Sequence, residues 1–375
     1  MTACNASGAC SFAYGPVHPH VHALSVVLAD GDTLALTRGA DRADGARFSL
    51  ATGSGRRIEG TLPDLPQPRV KSAAGYFARP GMDLLDLFIG SEGTLGLIAE
   101  IELRLSPKPR KTLGVLCYFP EESPALAFVA ALRSAAPGLR PHTLAAIEYF
   151  DTGALELIRA STPATGLLLP PPRPHWRLAV YLEWHLASDD PAPADLTLRL
   201  LEAHGASPAD TWLADAPPAL EKLKAFRHAV PEQVNALIAA RKRRHPDLTK
   251  LGTDLSVPDD RLADLMRLYR RDLAAAGLEH VIFGHIGDNH LHVNILPRDM
   301  AEHALGKRLY RDWAAQAVAW GGSVSAEHGI GRLKKDLLAL MCGPGGIDAM
   351  RRLKTLFDPA ARLNPGRLFD NDNLP

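Results

Sequence analysis

At 375 residues the chain has room for two or three domains of about 150 residues each, and 46% apolar against 22% charged residues is the balance of a globular protein that can bury a core. The 42 basic and 42 acidic side chains cancel, which excludes the whole-molecule positive field of a nucleic-acid binder. Four cysteines with no CxxC pair exclude a disulfide scaffold, a cysteine zinc ribbon and an iron–sulfur run, and they suit a reducing compartment, so the expected location is the cytoplasm.

No stretch approaches the ~20 apolar positions of a membrane span, and MTACNASGACSF has neither the basic nor the apolar block of a signal peptide. After a Gly/Ser/Ala/Asn loop at 3–15, LSVVLADGDTLAL (24–36) predicts two short strands joined through Ala29-Asp30-Gly31-Asp32. A Pro-rich passage (61–68) follows. DLLDLFIGSEGTLGLIAEIELRL (83–105) then reads as a short apolar segment, a Gly-rich turn and a strand whose apolar face is Ala99, Ile101, Leu103 and Leu105. Ser106-Pro107-Lys108-Pro109 cannot continue a strand ladder, which places a domain boundary there.

From residue 110, the strands GVLCYF, RLAVYLEW, HVIFGHIG and LHVNIL alternate with helical patterns at 122–136, 195–205, 218–240, 259–277 and 302–320. That order predicts an α+β layer with helices packed on an antiparallel sheet. LPPPRP (169–174) reads as a loop, and 331–375 as helices ending at Asp358-Pro359 before LNPGRLF. No internal repeat is visible.

The stretch richest in chemistry is VIFGHIGDNHLHVNILP (281–297). If Asp288 and Asn289 form a two-residue turn, Gly287 faces His290, Ile286 faces Leu291 and His285 faces His292, with paired Cβ atoms about 4.5–5.5 Å apart. Two imidazoles placed so can share one divalent metal. Leu291, Val293 and Ile295 then point to a core, while His290, His292 and Asn294 point the other way. A third donor is needed for a site of catalytic strength, and GGSVSAEHGIG (321–331) offers one. There Glu327 and His328 lie among small residues that let the backbone come close, and they can supply a carboxylate ligand and a base. Hydrogen-bonded strand histidines are the plain alternative for His285 and His292 taken alone.

GHIGDNHLHVN resembles the GHxGDGNxHxN signature, and SVSAEHGIG the S-x-SAEHGIG signature, of flavin-linked D-2-hydroxy acid dehydrogenases. That family includes D-lactate dehydrogenase, the glycolate oxidase catalytic subunit and D-2-hydroxyglutarate dehydrogenase, with a flavin domain of the vanillyl-alcohol oxidase type. NASGACSFAYG (5–15), VVLADG (26–31), DLLDLFIGSEGTLGLIAEIELRLSPKP (83–109), TDLSVP (253–258) and FDPAARLNPGRLF (357–369) agree with it in order, so the similarity runs from end to end. The resemblance implies an α+β fold in three parts. Residues 1–107 would be the trailing part of a PCMH-type FAD-binding domain, 108–330 a ferredoxin-like substrate and metal domain, and 331–375 a helical segment returning to the flavin.

By the same resemblance, His285, His292 and Glu327 would bind a divalent metal of the zinc or manganese type, with His328 as the base. Arg227 in AFRHAVPEQ would hold the substrate carboxylate, Asn294 would line the pocket, and Lys250 is a second candidate cation at a different spacing from relatives. Asn5, Ala6, Ser7 and Gly8 would lie near the flavin, together with Gly90, Ser91, Glu92, Gly93, Thr94 and Gly96 of the turn, Ile98 beside it, and Asn364. The implied reaction is oxidation of a small 2-hydroxy carboxylate of the D-lactate, glycolate or 2-hydroxyglutarate type. The metal lowers the hydroxyl pKa, His328 removes its proton and a hydride passes to N5 of FAD. Electrons would leave to a quinone, a cytochrome or a separate protein.

The sequence departs from that pattern in three places. Asn289-His290 replaces the usual Gly-Asn and makes His290 a spare donor. VHPHVH (17–22) stands where relatives often carry Thr-Arg; it puts three imidazoles on one side of an extended chain, but Pro19 disturbs the ladder, so a surface strand is expected rather than a metal site. Nothing resembles the Gly-rich loop that cradles the FAD pyrophosphate. The chain is therefore expected to start inside the flavin domain, through a misassigned start, a frameshift or a truncation. The alternative reading is an inactive remnant, or a non-catalytic partner subunit, that binds metal but no FAD on its own. ARKRRHPDLTK (240–250) reads as a solvated basic helix end, or as a surface that steers anions or docks at the periphery of an anionic membrane.

Overall fold

The computed structural model describes residues 1–165 and 170–370; Leu169 of the LPPPRP loop and the last five residues lie outside them. A single helical turn, α1 (Ser11–Tyr14), precedes the predicted hairpin of β1 (Val21–Val27) and β2 (Thr33–Thr37), whose register sets Leu24 opposite Leu36 and Val26 opposite Leu34. A separate hairpin, β3 (Arg47–Ala51) with β4 (Arg57–Thr61), follows. β5 (Leu97–Leu103) then pairs antiparallel with β1 to complete the sheet order β2-β1-β5.

The expected apolar face of β5 is not buried. Leu97, Ile101, Leu103 and Leu105 are 64%, 44%, 47% and 89% exposed. Among the described residues β5 is an edge strand bonded only to β1, and no described element covers its outer residues, so alternation marks a face that the fold leaves bare.

The remaining strands build one seven-stranded antiparallel sheet. In chain order come β6 (Lys111–Phe119), α2 (Glu122–Ala135), β7 (Thr143–Phe150), α3 (Thr152–Thr165), β8 (Leu178–Leu186), α4 (Ala192–Ala203), β9 (Thr211–Ala214), α5 (Pro217–Lys242), β10 (Leu251–Gly252), α6 (Leu262–Ala276), β11 (His280–Gly284), β12 (His292–Ile295), α7 (Met300–Ala319) and α8 (Lys335–Phe357). The spatial order is β10-β12-β11-β7-β8-β6-β9. All five helical patterns and four strands expected between 110 and 320 form. β7, β9, β10 and α3 are additions that the sequence patterns did not predict.

Helices cover both faces of this sheet, which explains the near-continuous apolar runs of its central strands. On β6, Leu113, Val115, Cys117 and Phe119 join the core under α2 and α6 (Phe128, Leu132, Leu265, Tyr269). Leu116 and Tyr118 face the opposite core with Leu155 and Ile158 of α3 and Phe226, Val230 and Val234 of α5. α7 starts on Asp299, whose side chain accepts from the amides of Ala301 and Glu302 at 2.9 Å each. α8 bends at Gly343-Pro344, where φ is 67°, and ends at Phe357, just before the Asp358-Pro359 stop.

After α8 the chain turns back on a buried ion pair. Lys354 Nζ contacts Asp358 Oδ2 at 2.8 Å and donates to the carbonyls of Thr94 and Leu363. Among the described residues, no helix is long and apolar enough to cross a membrane.

Candidate active site and metal centre

The β11–β12 connection is longer than a two-residue turn. Gly284 at φ 125°, a 3₁₀ turn at Ile286–Asp288 and left-handed Asn289 at φ 51° carry the chain across. The ladder therefore pairs Phe283, not His285, with His292. His285 sits just beyond the last rung, yet the His285 and His292 rings still meet, with centroids 5.6 Å apart. Leu291, Val293 and Ile295 are buried as expected, but His290 and Asn294 are buried as well, at 0% and 3% exposure. The second face looks into an enclosed site.

Glu327 enters this site from the loop after α7. Gly322 allows the approach: a Cβ there would lie 2.3 Å from the Ser256 carbonyl oxygen, and Ser256 and Ser323 exchange backbone hydrogen bonds. His285 Nε2 lies 3.3 Å, and His292 Nε2 3.4 Å, from Glu327 Oε1. Nitrogen and oxygen ligands of one tetrahedral zinc, each at about 2.0–2.2 Å from the ion, stand ~3.3–3.4 Å apart, so the spacing fits a shared divalent cation. His290 completes a group of four whose donor atoms lie within 4.8 Å of one another.

Two residues that sequence reasoning missed define the charge of the site. Glu148 of β7 contacts His285 Nδ1 at 2.6 Å, which orients the ring and directs Nε2 at Glu327. Burial presses the His285 pKa down, but Glu148 and Glu327 outweigh it and hold it up at about 9. Lys71 Nζ lies 3.0 Å from Glu327 Oε2 and 3.5 Å from Asp288 Oδ2, in a side chain only 7% exposed. Burial opposes the Glu327 charge, yet hydrogen bonds from His285 and His292 keep that carboxyl far below the usual range.

Asp254, in the quoted TDLSVP segment but not singled out there, is the hub behind the site. Its carboxylate accepts from Ser325 Oγ at 2.6 Å and from the amides of Glu327 and His328 at 3.2 and 3.1 Å. It also contacts Lys334 Nζ at 2.6 Å and His290 Nε2 at 3.0 Å. Burial, helped by neighbouring His292, takes His290 down to about 3 against the pull of Asp254, so His290 is neutral and able to donate a lone pair. His328 stacks on His292 at 5.2 Å, with Nδ1 3.6 Å from Asp254 and Nε2 3.4 Å from Glu327. Burial lowers its pKa from the ordinary imidazole value.

These groups open on a cavity of about 490 Å³ whose lining includes Arg227, Lys250, Asn294, His285, His292 and His328. Gly8 and Ala9 close one wall. Residues drawn from distant segments of sequence thus share one space. Burial lowers the pKa of Lys250.

Two of the flavin-side candidates, Asn5 and Gly90, meet at a second place. Asn5, at φ 46°, and Gly90, at φ 81°, line a cleft of about 210 Å³ with Lys71, Ala73, Gly75 and Tyr76. A Cβ on Gly90 would meet Asn5 at 3.4 Å, so glycine keeps that wall flat. Ser7 Oγ reaches 3.5 Å from Glu327 Oε2, and Ala6 accepts from the Val17 amide. The other candidates in the turn are fixed by their neighbours. Ser91 Oγ donates to the Phe88 carbonyl, and Thr94 Oγ1 to the Ser91 carbonyl while meeting Tyr76. Gly96 packs on Val26, and Ile98 pairs with Val26 in the sheet. The Glu92 carboxylate caps the amides of Ile330 and Gly331. Asn364 Nδ2 donates to the Glu92 carbonyl at 2.6 Å beside Gly93.

VHPHVH forms no shared site: His18 contacts Asp86, His20 the Tyr14 carbonyl and His22 Arg104. Of the basic run, Arg241 is tied to Glu279 and the Leu296 carbonyl.

Residues 108–368 match the family described as FAD linked oxidases, C-terminal domain. The chain belongs to the FAD-linked oxidases. Its α+β architecture agrees: a 4-ethylphenol oxidase from Gulosibacter chungangensis superposes with a TM-score of 0.55 at 15% identity, covering 96% of this chain and 68% of that one. Among curated relatives of this FAD-linked oxidase, a probable mitochondrial D-lactate dehydrogenase of Danio rerio is 31% identical over 99% of the chain. A mitochondrial D-2-hydroxyglutarate dehydrogenase of Bos taurus is 31% identical over 77%. The chain spans 64% and 50% of the length of these two relatives.

Proposed function

We propose that this FAD-linked oxidase oxidises a D-2-hydroxy acid of the D-lactate, glycolate or 2-hydroxyglutarate class to the 2-oxo acid. The observation that carries the reading is the single cavity in which Arg227, Lys250, Asn294 and His328 converge beside the donors His285, His292 and Glu327. Those three donors would hold a zinc- or manganese-type ion. The 5–8 loop and the turn at Gly90 would meet the ring end of FAD, with Asn364 bracing that turn. When bound, the metal supplies Lewis acidity toward the substrate hydroxyl, and the flavin supplies a two-electron acceptor.

The protein's own part is binding and proton handling. Arg227 holds the carboxylate through a planar two-pronged contact that lysine cannot copy, and Lys250 adds positive charge to the same cavity. Asn294 orients the substrate from the opposite wall. His328, whose pKa is lowered from the ordinary imidazole value, accepts the hydroxyl proton at Nε2, and Asp254 at 3.6 Å from Nδ1 steadies the imidazolium. The division at 107–108 and 330–331 then separates a flavin-side part, a substrate and metal part and a returning segment. Electrons pass on to a quinone, a cytochrome or an electron-transfer protein, in a cytoplasmic or membrane-peripheral setting.

The test supplies FAD, a divalent metal and an artificial dye acceptor, and compares D-lactate, glycolate and D-2-hydroxyglutarate with L-lactate. Turnover of a D-acid or glycolate that falls about 10²–10⁴-fold in His328→Ala at unchanged circular dichroism supports the reading. Absence of turnover with all three overturns it. The bare leucines of β5 favour a second reading, in which the chain is a subunit that binds flavin only with a partner polypeptide. A flavin absorbance band on the purified chain alone decides for the first.

A further inference from the structure

Separate from the Glu327 cluster, a second set of donors, a thiol, a carboxylate and an imidazole, converges where the N-terminal loop meets β8. Cys10 Sγ lies 3.8 Å from Glu183 Oε1, and His185 Nε2 lies 3.0 Å from the same oxygen. All three donor atoms fall within 4.8 Å of one another. Glu183 and His185 are two residues apart on β8 and so share one face of the sheet. Cys10 immediately precedes α1 as its N-cap residue.

We propose that Cys10, Glu183 and His185 form a second metal site, which takes a zinc-like divalent cation and pins the N-terminal loop to β8. Around one tetrahedral zinc, an oxygen and a nitrogen ligand stand ~3.3 Å apart and an oxygen and a sulfur ligand ~3.5 Å apart. The observed 3.0 and 3.8 Å differ from these by about 0.3 Å or less, and a fourth position is left for water. Thiolate with imidazole selects zinc over magnesium or calcium.

The surroundings are those of a supported site. Tyr14 OH lies 2.7 Å from His185 Nδ1, and so can fix the tautomer that leaves Nε2 to the metal. Tyr181 OH donates to Glu183 Oε2 at 2.9 Å, which leaves Oε1 as the ligand oxygen. Without metal, burial and then the Glu183 charge push the Cys10 thiol up to about 11, while Arg227 opposes them. An arriving dication relieves that repulsion: the Cys10 S–H bond breaks, the S–metal bond forms and one proton goes to solvent. Gly8 and Ala9, immediately before Cys10, line the substrate cavity, so the pin also holds one of its walls.

Cobalt(II) reports on this site selectively, because only a thiolate ligand gives a sulfur-to-cobalt charge-transfer band; the Glu327 cluster has nitrogen and oxygen donors alone. The full chain is stripped of metal and titrated with Co²⁺. The expected result is a near-ultraviolet band that has saturated by two ions per chain, one for each donor cluster, that persists in His292→Ala, and that is lost in both Cys10→Ser and His185→Ala. Far-ultraviolet circular dichroism checks that each variant is folded. No band in the wild type, or a band that survives Cys10→Ser, overturns the site and leaves a hydrogen-bond network only.

Discussion

Strands β5 and β6 are both rich in apolar residues, and only one of them is buried. Val115, Cys117 and Phe119 of β6 lie at 0–1% exposure with helices on either side of their sheet, whereas Leu103 and Leu105 at the end of β5 stand at 47% and 89%. Hydrophobic alternation states which side chains a strand offers to a core; it does not state whether the chain supplies the other half of that core. The proposed metal and substrate cluster is built on the covered sheet and the loops behind it, where low dielectric strengthens each contact and each unpaired charge is costly. The bare sheet carries no such cluster among the described residues.

That contrast can be broken from the covered side first. Asp254→Ala strands the Lys334 ammonium and leaves several donors unmet, and should cost about 3–5 kcal/mol, read as a lowered urea midpoint. The same carboxylate sets the acid limb. Its folded pKa is held well below the ordinary 3.8 although burial acts the other way, because His290 and Lys334 stabilise the charge. Its contribution is therefore present above pH 3.8 and is lost as pH falls toward the folded value. Asp254→Asn should show a shallower loss of stability below pH 4 than wild type; equal slopes would show that other carboxyls dominate.

A smaller effect is expected one contact away from the metal donors. Glu148→Gln keeps the shape but weakens the partner of His285 Nδ1, and should lower divalent-metal affinity about 10–100-fold in a competition titration. The smallest effect belongs to the bare side: Leu103→Ser should change stability by less than about 0.5 kcal/mol. A loss above 1 kcal/mol in the isolated chain would show that β5 is covered in solution.

Much of this was legible in the sequence, and the gaps have physical causes. The hairpin at 24–36, the helices between 122 and 320 and the gathering of His285, His292, Glu327 and His328 follow from periodicity and motif. His285 does not pair with His292, because Gly284 and left-handed Asn289 make the connection longer than a two-residue turn. Glu148 was hidden inside TLAAIEYF, where a lone acid in an otherwise apolar strand was itself the signal. Lys71 lies next to a Pro-rich passage without periodicity, so its reach into the site appears only once the chain is folded. Asp254 stood in a recognised segment, and an acid between apolar residues there pointed to a buried partner.

Glu92 offers a last consequence. Its amide bonds the Ala3 carbonyl, its carbonyl receives Asn364, and its carboxylate holds the amides of Ile330 and Gly331. The beginning, the end and the loop that carries Glu327 are therefore latched by one left-handed residue. Loosening of the segments around Ala3 or Asn364 cannot stay local, and slow hydrogen exchange at the Ile330 amide would serve as a gauge of how firmly both segments are held.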